Sequence, residues 1–371
     1  LEYPYGIDPT PPLPGDEMKK LSPTHLQKFQ KHLKTLGVSG YWVTHIPDLF
    51  YLSGFGAEGC WGIIGPKQAA MLVPGLATDQ ATVLAPEFKI LTATRASNAY
   101  ATVVEFALKN GWKTVGYDPY HTVEAHIATL RKLSGNKLKW VPITAATTPL
   151  RILKDRKEVK ALRAAGNLVA RGFAHIKKVA RPGMRESDLA ADFESFIKKN
   201  GATKTSFDSI VAFGENAAYP HYITGNRVLR KNDIVLCDIG ALVDGYCSDL
   251  TRTFFLGSIT PLGQKVYDTV ARAQRLSIDA VKPGVKTAQI DRIARDEIER
   301  AGYGPRFIHS TGHGVGVEIH EAPGVGPAST ETLEPGMIIT VEPGIYLQGW
   351  GGVRIEDTLL VTETGYEILT K

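Results

Sequence analysis

Five side chains in the second half of this 371-residue sequence are of types that bind divalent cations: Asp238, Asp249, His313, Glu342 and Glu356. The first two share one stretch. Two β-rich runs, Ile234–Ala241 and Tyr246–Phe255, flank Asp244-Gly245, and Asp-Gly between such runs is a strong hairpin signal. With Asp244 and Gly245 as the turn, Val243 pairs with Tyr246. Counting outward, Asp238 pairs with Thr251 and Asp249 with Gly240. Side chains alternate along a strand, so Asp238 and Asp249 share a face as diagonal neighbours, roughly 7–8 Å apart at the backbone. Gly240, with no side chain, leaves room between them. Two neighbouring carboxylates raise each other's pKa unless a cation lies between them. The competing reading is a solvated acidic face, but both strands are too apolar elsewhere for a freely exposed ribbon.

Glu342 and Glu356 stand on two further strand-like runs, on either side of the glycine-rich turn Gln348-Gly-Trp-Gly-Gly352. This spacing predicts a second hairpin that presents two acids. His313 is flanked by Gly312, Gly314 and Gly316, which strip side chains from around it and let its ring reach a shared cleft. A single histidine is usually a satisfied core group, and a single strand glutamate is usually solvated; their joint occurrence is what counts. Four carboxylates and one imidazole, without thiolate, suit two divalent cations, Mn²⁺ or Co²⁺, with Zn²⁺ also admissible. Two such ions about 3.5–4 Å apart can activate a bridging water and hold an oxyanion.

The elements around these residues divide the chain. Leu1–Pro14 is proline-rich and without period, an extended arm. From Thr24 to Leu36 apolar residues recur at helical spacing and Gly37 ends the run. Strands are predicted over 40–44, 49–52, 61–64, 69–73, 89–93, 114–117 and 138–141, with helices over 100–109 and 121–133. Such alternation reads as an α/β domain, residues 1–145. Thr144–Pro149 reads as a linker to a second domain, 149–371. There helices are predicted over 157–179 and 186–200, broken by Arg181-Pro-Gly. An internal echo follows: Val179-Ala-Arg-Pro-Gly-Met-Arg resembles Ala280-Val-Lys-Pro-Gly-Val-Lys, each between helices and each followed by strands. It predicts two similar halves with a cleft where they meet.

Composition is ordinary for a globular protein, with 43% hydrophobic residues and a net charge of +5. The basic residues are scattered over helix faces, so nothing argues for nucleic-acid binding. No apolar run approaches the ~18–20 residues of a membrane span. Three cysteines, Cys60, Cys237 and Cys247, make no disulfide framework and fit a reducing, cytoplasmic compartment. Cys237 and Cys247 read as small buried residues.

Asp238-Ile-Gly-Ala with Ser248-Asp-Leu-Thr-Arg-Thr, Thr311-Gly-His-Gly-Val-Gly, Val341-Glu-Pro-Gly-Ile-Tyr and Val353-Arg-Ile-Glu-Asp resemble the pita-bread-fold metallopeptidases, specifically the proline-directed branch (Xaa-Pro aminopeptidase and Xaa-Pro dipeptidase). The match covers about residues 149–371. The preceding segment is similar in size and pattern to the family's creatinase-like domain. The resemblance implies an α/β (α+β) protein with a pseudo-symmetric pita-bread catalytic domain. It implies that Asp238, Asp249, His313, Glu342 and Glu356 bind two metals, that Asp249 and Glu356 bridge them, and that Glu342 also serves as base to a metal-bridging hydroxide. His221 and His320 match family histidines that line the site. Phe207 and Ile210 fall near the proline ring, and Arg354 matches a partner beside the last glutamate, placing it in the substrate-binding set. The substrate implied is a peptide with proline at the second position, and the assembly a homodimer.

The chain departs from some dipeptidases of the family after His320, reading Glu-Ala-Pro-Gly-Val where they carry an arginine that can hold a free carboxyl terminus. This tilts the expectation toward cleavage of X-Pro at the amino terminus of longer peptides, with Xaa-Pro dipeptidase as the alternative. Methionine aminopeptidase shares the ligands but normally lacks a preceding domain. Creatinase lacks the metal set. A non-catalytic peptide-binding member of the fold would be expected to have lost ligands, and none is lost here.

Overall fold

The computed structural model describes residues 23–94 and 98–371. The proline-rich start lies outside them. The first half is built on a six-stranded mixed sheet in the order Lys89–Ala93, Ala69–Pro74, Trp61–Ile64, Gly40–Val43, Thr114–Tyr117 and Lys139–Pro142. Neighbouring residues on its strands point to opposite faces. Tyr41, Val43, Ile64 and Met71 pack into one core with Phe29 and Leu33 of the helix His25–Thr35. Trp42, Ile63 and Leu72 pack into another with Val103, Ile127 and Leu130 of two helices on the far side. A sheet covered on both faces accounts for its unbroken apolar strands.

Three expectations need correction. Leu49–Leu52 is not a strand but part of the helix Ile46–Ser53, which carries Pro47 and Asp48 in its first turn and ends at Gly54 in the left-handed region, φ 81°. A short apolar run has no period to separate strand from helix, and the punctuation around it decides. The helix expected from residue 121 starts at Glu124, because the Asp118 carboxylate takes the Tyr120 N–H and bends the chain there. Thr144–Pro149 is not a free linker. Ala145 donates its N–H to Asp118, the Thr147 hydroxyl donates to buried Asp48, and Thr148–Arg151 is a short helix. The joint between the halves is packed.

The second half repeats one plan. Helices Arg156–Val179 and Glu186–Lys199 precede a sheet ordered Leu250–Phe255, Ile234–Ile239, Ile210–Phe213; helices Pro261–Asp279 and Thr287–Arg300 precede a five-stranded sheet that contains Gly312–Gly314, Ile338–Val341 and Asp357–Val361. Hydrogen bonds repeat with it. Gly183 donates to the Leu229 carbonyl as Gly284 does to Leu333; Leu229 donates to Met184 as Leu333 does to Val285; Glu186 donates to Arg227 as Thr287 does to Glu331. Nine residues beyond Leu229 and Leu333 stand Asp238 and Glu342. The repeat therefore places one acid from each half at equivalent points of two sheets. All three cysteines are buried and unpaired. Among the described residues no helix is long and apolar enough to cross a membrane.

Candidate metal centre

The first acidic pair sits on the hairpin expected from Asp244-Gly245. Asp244 and Gly245 have φ of 50° and 80°, the mirror-image turn that matches strand twist and that glycine enters without strain. Val243 pairs with Tyr246, then Ile239 with Leu250, Asp238 with Thr251, and the register runs out to Ile234 and Phe255. The turn dipeptide alone therefore places both aspartates. Gly240 works differently from expectation. A Cβ there would run into the Ser248 carbonyl and meet the Phe207 ring and the Ser206 hydroxyl at 2.7 Å, so the missing side chain admits these neighbours rather than opening space between the acids.

The second pair is opposed more directly. Val341 pairs with Asp357, and Gly344 with Arg354, so in the register common to both segments Glu342 faces Glu356. His313 lies between glycines on the adjoining strand Gly312–Gly314, whose Gly314 pairs with Ile339 and with Glu321. The two hairpins brace each other. The Glu356 N–H donates to the Thr251 carbonyl, and the Thr251 hydroxyl donates to Glu356 Oε2 at 2.7 Å. Arg354 donates from Nε to the Thr251 hydroxyl at 3.1 Å, from one terminal nitrogen to Tyr346 at 2.7 Å, and from the other to Asp238 Oδ2 at 2.5 Å.

His313 Nε2 is 3.3 Å from Glu342 Oε1 and 3.5 Å from Asp249 Oδ2, while its Nδ1 is 3.0 Å from the Gly314 carbonyl. Donating Nδ1–H to that carbonyl fixes the ring's orientation and leaves Nε2 facing the carboxylates. Asp249, His313 and Glu356 offer atoms within 4.8 Å of one another that could hold a metal ion. Burial, then the charge of Asp238, drives the Asp249 carboxyl well above the usual range. Burial and the charges of Asp249 and Glu342 do the same to Glu356. Asp238 is also raised, burial outweighing Arg354. Burial works against the charge on His313, yet Glu342 and Asp249 lift it to about 9. Burial works to raise Glu342, but His313, His309 and Arg354 together hold it below its ordinary value.

Four acids thus share one guanidinium and one imidazole. Asp238 Oδ1 and Glu356 Oε1 are buried without a hydrogen-bond partner. An unpartnered buried carboxylate oxygen is costly and points to something that binds it. Hard, oxygen-seeking divalent cations fit this donor set.

Asp238, Asp249 and Glu342 open onto a cleft of about 780 Å³ whose wall includes Phe207, Ile210, His221 and His320, while Glu356 is buried. The His320 ring stands edge-on to His313 with centroids 4.4 Å apart. Arg354 also lines the cleft, but each of its three nitrogens already donates, to Thr251, Tyr346 and Asp238. It therefore stands as a carboxylate's partner rather than a direct substrate contact. Sequence reasoning passed over His309, which lines the cleft with Nε2 2.8 Å from the Tyr346 hydroxyl. No glycines frame it as they frame His313; its one signal was to lie in the same histidine-rich stretch.

The Metallopeptidase family M24 profile matches residues 160–363, and the Creatinase/Prolidase N-terminal domain profile matches residues 25–153. An Xaa-Pro dipeptidase of Pyrococcus furiosus is 35% identical over 354 residues, covering 93% of this chain and 97% of the relative. The solved structure of an Xaa-Pro dipeptidase from Bacillus anthracis is similar at a TM-score of 0.89 with 34% identity, covering 94% of this chain and 97% of that one. An X-Pro aminopeptidase from Thermotoga maritima is similar at a TM-score of 0.85 with 28% identity, covering 92% and 97%.

Proposed function

Because the chain belongs to metallopeptidase family M24, with a creatinase/prolidase domain in front, we propose that it is an exopeptidase that hydrolyses the bond between an amino-terminal residue and proline. The observation that carries this is the convergence of Asp249, Glu342 and Glu356 on His313, with Asp238 beside them and two buried oxygens unpartnered, at a peptide-sized cleft. Those five residues would hold two divalent cations, Mn²⁺ or Co²⁺ first. Such cations supply a Lewis acid for the carbonyl and a water acidic enough to attack at neutral pH.

The chain's own groups do the rest. Glu342, kept ionised by His313, can take a proton on its second oxygen. The proline nitrogen carries no hydrogen and must be protonated as it leaves. His320 faces the cleft with a pKa lowered by burial and by His313, so it is neutral at rest and readily releases a proton it has gained. His221 also lines the cleft, and Phe207 and Ile210 offer an apolar surface for the proline ring.

Two observations favour different leaving fragments. Among the described residues that line the cleft, Arg354 is the single lysine or arginine, and each of its nitrogens already has a partner. No further lysine or arginine among the described residues lines the cleft to receive a free carboxyl terminus, which favours longer peptides. The names of the Pyrococcus furiosus and Bacillus anthracis relatives favour the dipeptide. The test is reconstitution with Mn²⁺, Co²⁺ or Zn²⁺ followed by Ala-Pro against Ala-Pro-Ala. Release of alanine from the tripeptide is expected. Cleavage of Ala-Pro alone establishes the dipeptidase reading, and no cleavage of either with any of the metals removes both.

A further inference from the structure

A second buried charge cluster lies behind His320, where the halves of the molecule meet. Arg151, on the short helix at the joint, donates to Asp48 of the first half at 2.7 Å and to Glu318 at 2.7 Å, and it also donates to Glu321. Lys154, whose side chain is 1% exposed, donates to the other Glu321 oxygen at 3.2 Å. His45 lies 3.1 Å from Asp48 and 3.2 Å from the second Glu318 oxygen. Glu318 and Glu321 bracket His320. The Glu321 carboxylate also accepts the Glu318 N–H at 3.0 Å, closing a tight turn over residues 318–321. Gly316 makes that turn feasible, because a Cβ there would stand 2.6 Å from the Glu321 carboxylate carbon.

The His320 ring makes no hydrogen bond among the described residues. It packs against His313 on one side and borders a cavity of about 180 Å³, lined also by Arg151, Glu318 and Glu321, on the other. Its direction is therefore set by the backbone that carries it, and that backbone is pinned by two carboxylates. A group that must meet a leaving nitrogen tolerates little misplacement, and about 1 Å can cost roughly 10²-fold in rate.

We propose that Arg151, Lys154 and Asp48 are positioning residues for the reaction, holding Glu318 and Glu321 so that His320 points into the cleft. The front domain thereby takes part in catalysis through a chain of charges without touching substrate. This rests on the assignment of His320 under the proposed function.

The test is a double-mutant cycle with Arg151→Met and His320→Ala in the metal-loaded full chain, read as kcat and KM on Ala-Pro-Ala and Ala-Pro, with metal content measured on each variant. Arg151→Met is expected to lower kcat by about 10²-fold with little change in KM or metal content. In the His320→Ala background it is expected to cost almost nothing further, because both changes remove the same function. Fully additive losses, or an unchanged kcat, overturn the proposal. Amide hydrogen exchange over residues 316–323 gives a readout without turnover. It is expected to speed up in Arg151→Met while exchange in the two acidic hairpins stays as in the unsubstituted chain; unaltered exchange at 316–323 overturns the proposal even if neither peptide is cleaved. Should Arg151→Met not fold, Glu318→Gln carries the same cycle with a loss of about tenfold.

Discussion

Two clusters of buried acids lie on either side of His320, and they differ in balance. At the joint, Asp48, Glu318 and Glu321 face Arg151, Lys154 and His45. Each of the six carboxylate oxygens has a donor or an ion-pair partner. His45 belongs among the cations because Asp48 and Glu318 outweigh its burial and lift it to about 9. In the cleft, Asp238, Asp249, Glu342 and Glu356 face Arg354 and His313, and two oxygens have no partner. A balanced, fully bonded cluster is complete and acts as a brace. An unbalanced one is unfinished until cations arrive. Acidity alone does not separate the two; the charge count and the unpartnered oxygens do.

Removing one acid from each cluster sharpens the contrast. Asp249→Asn is expected to lower X-Pro hydrolysis by at least about 10³-fold and to release metal, measured by kinetics and by metal analysis of the dialysed protein. The metal-free variant is expected to melt no lower than the metal-free parent, because the change relieves repulsion among acids that are already raised. A metal-free melting temperature that falls sharply would place Asp249 among the braces.

The brace is expected to respond in the opposite way. Lys154→Met leaves Glu321 short of one of its two cations in a buried site, which costs about 3 kcal/mol of stability, read from urea unfolding with and without metal. Metal affinity is expected to stay close to that of the parent. If instead Lys154→Met abolishes metal binding while stability is kept, the division into brace and centre fails.

Much of the centre was legible locally. The Asp244-Gly245 turn settles its own register, and register settles the face on which Asp238 and Asp249 appear. The Pro-Gly echo marks the repeat, because each copy pairs a helix start with the segment that leads into a strand in the same way. The brace left no such signal. Arg151 and Glu318 are 167 residues apart, and no pattern around Thr144–Pro149 distinguishes a packed joint from a linker. Leu49–Leu52 was misread for a related reason: four apolar residues fit a strand and a buried helix turn equally, and Pro47 and Gly54 carried the decisive information. His309 was missed because its partner, Tyr346, comes from a different strand.

The smallest expected effect is on pH dependence, and it separates the clusters within one unsubstituted protein. In the metal-free chain Asp249 and Glu356 lie above their ordinary values of 3.8 and 4.5. The folded state then holds protons that the unfolded state has already lost, so stability declines as pH rises through the folded-state values. His313, raised to about 9, has the same sign: its contribution is complete below its ordinary 6.5 and lost as pH passes 9. Metal binding replaces those protons with cations and removes the decline. His45 at the joint is also raised to about 9, but it touches no proposed ligand, so its effect is common to both forms and cancels in their difference. The melting temperature of the metal-free protein is therefore expected to fall from pH 6 to pH 9 relative to the Mn²⁺-loaded protein. The gap should widen by a few degrees, since about 1 kcal/mol moves the midpoint by 2–4 °C at domain sizes of 150–250 residues. Parallel curves for the two forms would mean that the cleft acids are already balanced without metal, and the contrast between centre and brace would not hold.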